Sequence, residues 1–175
     1  MIARLAAAAA ALLLAGCAAF SPQEAPLPSL ASVPTSFEMS GRLAVHQGNR
    51  SDIALLRWTR RGHDDTWVIA SPLGNEVARI DSTPAGATLH QAGGDTEEAP
   101  SFEALTRKVL GVGLDPAWLA EGLHGKAPSG LPQGWQFSID ETQPAGAVRL
   151  AKRITVRKDD TVVRLVVDSY RALDE

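Results

Sequence analysis

Four histidines (His46, His63, His90, His124), two adjacent acidic pairs (Asp64-Asp65, Glu97-Glu98), Ser71, a Gly111-Val112-Gly113 segment and Cys17 are the first residues to test for chemistry. Histidines that share a metal recur at short fixed spacings, and these four fall on separate predicted strands or turns with no such spacing. His46 and His63 adjoin polar turns and read as solvent-exposed. The two acidic pairs read as loop charge, since general acid–base work needs carboxylates facing each other across a substrate. Ser71 lacks the Gly-x-Ser-x-Gly setting of a strained nucleophile. Gly111-Val112-Gly113 opens onto no Lys-Ser/Thr helix that could cradle a phosphate. The single thiol excludes an intrachain disulfide and a multi-thiolate metal site. No catalytic residue, metal or cofactor is expected, and the motifs point away from an enzyme.

Composition narrows the partners. The chain has 175 residues, a length that suggests one folded domain. Lys and Arg total 17 against 20 Asp and Glu, a formal charge of −3, with 45% hydrophobic residues. That balance is globular, and it offers no strongly basic surface to neutralise phosphates, so nucleic acid is excluded as a partner.

Residues 1–16 read as an export signal. Arg4 supplies a positive start and Leu5 to Leu14 is an unbroken Ala/Leu run. At about 1.5 Å per residue this run falls short of a hydrocarbon core roughly 30 Å thick, so it is a signal's apolar region rather than a span. Leu14-Ala15-Gly16-Cys17 resembles the lipobox of bacterial lipoproteins. That resemblance implies cleavage before Cys17, a diacylglyceryl group on its thiol, and acylation of the new amino group. Multiple chains at about 0.8 kcal/mol per buried methylene make such an anchor stable. Ala18, where inner-membrane lipoproteins carry Asp, implies delivery to the outer membrane, with the body facing the periplasm. Ala18 to Pro34 holds Pro22, Pro26, Pro28 and Pro34 and reads as an extended tether, able to reach about 50 Å in a polyproline-like state. The lipidated cysteine and tether thus occupy 17–36, and a single domain occupies 37–175.

The domain's pattern is mostly period two. Strands are expected over Phe37–Val45, Ile53–Thr59, Thr66–Ser71, Glu76–Asp81 and Ala87–Gln91, with polar or Gly/Pro turns between them. Ser101 then caps a helix over Phe102–Leu110, with Phe102, Leu105 and Val109 on one face, and Gly111 and Gly113 stop it. Asp115 with Pro116 starts a second short helix ending near Gly122. Strands resume at Trp135–Asp140, Val148–Arg157 and Thr161–Tyr170. Two short helices cannot cover about eight strands, so the sheet must curl on itself. The expected fold is mainly β: a curved, incompletely closed antiparallel barrel whose mouth the helices cover.

Apolar residues carry more information than polar ones. Trp58, Trp67, Ile69, Phe102, Trp118, Leu119, Trp135, Phe137 and Leu165 are either a plain core or the lining of a cavity for an acyl chain. Leu73 stands out at the tip of Pro72-Leu73-Gly74-Asn75, where a polar residue is usual. It either folds back onto the core or projects to enter a bilayer or apolar partner.

These features together resemble the LolB family of outer-membrane lipoprotein receptors. The resemblance rests on the lipobox at Cys17, Phe-Glu-Met-Ser-Gly-Arg-Leu-Ala-Val at 37–45, the Trp58/Trp67 hairpin, Ser-Pro-Leu-Gly-Asn at 71–75, and the segment 102–125 around Leu110-Gly111 and Trp118-Leu119. It implies an unclosed barrel with a helical lid over an apolar cavity, and it gives Leu73 the role of an exposed membrane-insertion residue. The implied partners are a LolA-like periplasmic carrier, acylated lipoprotein cargo and outer-membrane lipids, with the chain itself a monomer. The competing class is a structural outer-membrane lipoprotein that scaffolds partners and has no lipid cavity. A lipid-modifying hydrolase would need a nucleophile that the motifs do not supply.

Overall fold

A computed structural model of the chain describes residues 32–173; the export segment, Cys17 and most of the tether lie outside the described residues. Among the described residues, β1 (Ser36–Gln47), β2 (Arg50–Arg61), β3 (Asp64–Ala70), β4 (Glu76–Thr83), β5 (Gly86–Gln91) and β6 (Thr96–Ala99) run in succession. Helices α1 (Phe102–Leu110) and α2 (Pro116–Leu123) follow, then β7 (Gln136–Ala145), β8 (Val148–Lys158) and β9 (Thr161–Ala172). The strands form one sheet in the order β6-β5-β4-β3-β2-β1-β9-β8-β7. Each neighbouring pair is antiparallel, and β9 docks on β1 to join the two meanders. The edges β6 and β7 stay unpaired with each other, so the sheet curves without closing, as expected.

Register explains why the curled sheet has a greasy inner face. Side chains alternate across a strand, and the pairing aligns the inward ones in rows. One row runs Tyr170–Met39–Trp58–Trp67–Ile80–Leu89 from β9 to β5. Another runs Leu43–Leu165–Ile154–Ile139 from β1 to β7. Residues from both rows belong to the main apolar cluster. Bulges sharpen the bend at Ser40/Gly41, Ile69/Ala70 and in β7. Gly41 is required there, because a Cβ at that position would lie 2.1 Å from the Val166 carbonyl oxygen.

The helices sit where the pattern placed them. Ser101 Oγ accepts from Ala104 N–H at 3.1 Å and caps α1, which ends at Gly111 in the left-handed region (φ 72°). Asp115 Oδ1 accepts from Ala117 N–H at 2.7 Å and caps α2, with Pro116 in the first turn. Between them, Leu114 N–H donates to Thr106 Oγ1 (2.9 Å), tying the connection back onto α1. Helix α1 packs on β5 and β6 and α2 on β8, so the pair crosses the concave face from one flank of the open sheet to the other.

One element differs from the sequence reading. Glu97 and Glu98, read as loop charge, form the middle of the edge strand β6. Their polarity obscured a four-residue strand whose role is to carry a charged sheet edge, a common guard against edge-to-edge pairing. Glu97 is ion-paired with Lys108 of α1.

Candidate lipid-handling site: a helix-covered apolar face and an exposed leucine turn

The site begins with the inward rings. Trp58 and Trp67, neighbours across β2 and β3, are fully buried with centroids 5.5 Å apart. Phe102, from the first turn of α1, meets Trp67 edge-on at 4.8 Å, and Phe37 meets Trp58 at 4.9 Å. Leu119 and Leu165 are also buried, and Ile69 and Phe137 pack against the cluster from partly exposed positions. Eight of the nine residues singled out for an acyl-chain cavity, Trp135 among them from a partly buried position, therefore join one apolar face that the helices fill. Trp118 is buried outside that cluster and pairs with Trp135 at 6.4 Å, with the Lys158 ammonium 5.8 Å from the Trp135 ring. Trp135 lines a cleft of about 340 Å³ whose other walls include Glu103 and Arg107 of α1, Gly113 just after it, and Lys158 and Thr161 at the β8–β9 turn.

Close packing holds the cover down. A Cβ at Gly122 of α2 would lie 2.0 Å from Phe137 Cζ, so the helix backbone rests directly against that ring. Trp67 Nε1 is buried with no hydrogen-bond partner, a donor left uncompensated inside the apolar face.

Two buried polar groups anchor the arrangement, and the sequence reading gave neither a role: Asp65, read with Asp64 as loop charge, is a buried residue of β3, and His124 was one of four histidines without a metal spacing. Asp65 accepts from Trp58 Nε1 at 2.6 Å and takes Arg60 in a two-point grip at 2.9 and 2.8 Å. It sits two residues before Trp67 on the same inward face, so strand alternation carried one residue further would have found it. His124, at the end of α2, is fully buried, not on an exposed turn. Its Nδ1 donates to the Ala120 carbonyl (2.6 Å), which leaves Nε2 to accept from the Tyr170 hydroxyl (2.9 Å). Burial lowers the His124 pKa and the nearby Arg60 and Lys126 charges add to that, outweighing the Ala120 hydrogen bond. Burial likewise pushes Tyr170 up to about 12. His63 and His90 are exposed and His46 half-buried. Among the described residues no group of His, Cys, Asp and Glu could hold a metal, and no helix is long and apolar enough to cross a membrane.

On the outside, the β3–β4 turn is braced by Ser71 N–H to the Asn75 carbonyl and Gly74 N–H to the Ser71 carbonyl, both 2.8 Å. This bracing holds Leu73 at its tip with 90% of its surface in solvent. Of the two sequence alternatives for Leu73, outward projection is the one observed.

The chain is thus an open antiparallel half-barrel with a helical cover on its apolar concave face and an exposed leucine at its β3–β4 turn. The family model described as "Outer membrane lipoprotein LolB" matches residues 35–170, and the chain belongs to that family. It is a family of lipoprotein localisation at the outer membrane and not of enzymes. The chain is 32% identical over 191 residues to the outer-membrane lipoprotein LolB of Chromobacterium violaceum, covering 98% of this chain and 100% of that protein. It is 30% identical over 176 residues to that of Azoarcus sp. (strain BH72), covering 92% and 91%. A solved DUF1329 family protein from Desulfovibrio piger shares the fold at a TM-score of 0.55 and 7% identity, covering 81% of this chain and 87% of its own.

Proposed function

We propose that this chain is anchored to the outer membrane through Cys17, accepts acylated lipoproteins from a LolA-like periplasmic carrier, and inserts them into that membrane. The observation that carries the reading is Leu73, an aliphatic side chain held 90% exposed on a braced turn. Turn tips ordinarily carry polar residues or glycine, so a leucine fixed there in solvent fits contact with an apolar partner. The apolar concave face supplies the second half of the reading, with the helices as the part that cargo displaces.

Magnitudes dictate the route. A triacylated cargo hides on the order of 45 methylenes at about 0.8 kcal/mol each, so exposing them all to water would cost about 36 kcal/mol. The chains must therefore slide from one apolar surface to the next. With no nucleotide motif, the transfer runs downhill in affinity: carrier weakest, this chain tighter, bilayer tightest.

The test pairs binding with release. An acylated peptide should displace a fluorescent hydrophobic probe from the protein, and Leu73→Glu should keep that displacement while slowing lipoprotein insertion into liposomes about tenfold or more. Insertion at the wild-type rate would remove Leu73 from the mechanism. Failure of the protein to take up the probe would favour the scaffold reading instead.

A further inference from the structure

We infer that Leu73 is the tip of a wider bilayer-docking platform formed with Ile53 and Val77 on the convex face of the sheet. The inference rests on the membrane-inserting reading of Leu73 and extends it to two residues outside the turn. Ile53, Leu73 and Val77 are the large hydrophobic side chains left exposed among the described residues, at 59%, 90% and 44%. They come from β2, the β3–β4 turn and β4, yet the topology brings them to one end and one face. Leu55 pairs with Ala70, the last residue of β3, and Ile53 lies two residues further along the same outward side of β2. Val77 occupies the bulge opposite Ile69 and Ala70, next to the turn.

Behind these residues an apolar strip continues along the convex face, flanked by exposed Arg42 opposite Leu55 and exposed Arg79 opposite Val68. A groove of about 310 Å³ runs between Leu55, Val68 and Ala70 up to Gly74 of the turn, and Arg57 and Asp168 stand at its polar end. A curled sheet normally turns polar side chains outward here, so a contiguous apolar strip ending in a projecting leucine marks a contact surface. The occupant argued for is the phospholipid bilayer surface. An apolar tip backed by a half-exposed apolar shoulder, with an arginine set back from it, matches a surface that is hydrocarbon inside and phosphate outside. Glu76, exposed beside Val77, limits how deep that flank can sink.

The tether permits this orientation. The chain enters β1 at Ser36, beside Gly62, whose N–H donates to the Thr35 carbonyl at the end of the sheet remote from Leu73. The seven residues of β3 separate the two ends by about 25 Å at ~3.3 Å per residue plus the turn. The Pro-rich segment from Ala18 to Pro34 can reach about 50 Å. A body anchored at Cys17 can thus lay its Leu73 end on the same bilayer.

The experiment places one label at a time on the lipidated full chain in phosphatidylethanolamine–phosphatidylglycerol vesicles. Because the lipid thioether consumes the Cys17 thiol, Ile53→Cys, Leu73→Cys, Val77→Cys and Ala85→Cys each give a single site for a small fluorophore. Ala85 is exposed at the far end of β4 and serves as the reference. The platform requires quenching by acyl-chain bromines at 53, 73 and 77 and none at 85. Quenching at 73 alone overturns the platform and leaves the Leu73 reading standing. Quenching at none of the sites overturns both, and equal quenching at 85 overturns the platform by showing no preferred face.

Discussion

His124 and Tyr170, 46 positions apart, close the seam between the helical cover and the sheet: Nε2 of the buried imidazole lies 2.9 Å from the phenol oxygen. The same ring is pinned through Nδ1 to Ala120 and stands edge-on to Phe37 at 5.3 Å. The sequence of contacts from α2 through His124 to β9 and β1 therefore depends on an imidazole that stays neutral.

Stability should consequently fall in mild acid. The folded pKa of His124 is lowered from 6.5, chiefly by burial, so the unfolded chain takes up a proton first as pH falls. The contribution is fully present above 6.5 and is lost as pH drops below it, down to the folded value. Urea unfolding across this range should show the slope, and His124→Phe should flatten it. The same variant should lose about 1–3 kcal/mol at pH 8, because the Tyr170 hydroxyl forfeits its partner and the Ala120 carbonyl keeps only the backbone N–H of residue 124. An unchanged slope in His124→Phe would place the acid sensitivity elsewhere.

Asp65 should matter more to folding than to transfer. Removing it in Asp65→Ala leaves the Arg60 guanidinium, whose side chain is 14% exposed, and the Trp58 indole N–H without their shared acceptor. A broken buried pair of this kind costs about 3–5 kcal/mol. Denaturant midpoints measure it, and a loss under 1 kcal/mol would mean that water replaces the carboxylate. Replacing the trio together by apolar residues should cost much less than Asp65→Ala alone, since no charge is then stranded.

What the sequence revealed follows the physics of its signals. Period-two alternation from Phe37 to Tyr170 identified strands, and Ser101, Asp115 and Pro116 fixed where the helices start, because caps and alternation are local. The open sheet followed from having too few helices to cover it. Edge strand β6 was hidden because Thr96–Ala99 is short and acidic, with its partner β5 supplying the order. Asp65 stands one residue before the expected start of its strand, so the alternation through Trp67 was not carried to it. His124 was illegible because its partner Tyr170 arrives from the last strand. Leu73 was visible because a leucine in a Pro-x-Gly-Asn turn breaks a local rule.

The proposed lipid anchor and the proposed cargo face should separate cleanly. Replacing Cys17 by Ala behind a cleavable signal should give a soluble chain from which an acylated peptide still displaces the hydrophobic probe, since the apolar face lies within residues 33–170. Probe titrations of the two forms should agree within about twofold, below the ~1.4 kcal/mol that a tenfold change represents. Loss of binding in the soluble form would mean that the anchor or tether takes part in holding cargo.

Gly122 provides the sharpest test of whether the helices gate that face. In an exposed helix Gly→Ala gains up to about 1 kcal/mol, but here the new methyl would lie 2.0 Å from Phe137 Cζ. Either α2 lifts or the half-buried Phe137 ring swings out, and overpacking of this kind costs about 1–3 kcal/mol. If cargo binds only after the helices rise, the closed state subtracts from affinity, and weakening closure returns it. Gly122→Ala should then be less stable yet bind an acyl probe more tightly, by roughly fivefold for each ~1 kcal/mol taken from closure. The opposite signs are the diagnostic feature. A variant that loses stability and affinity together would show that α2 builds the binding surface and does not cover it.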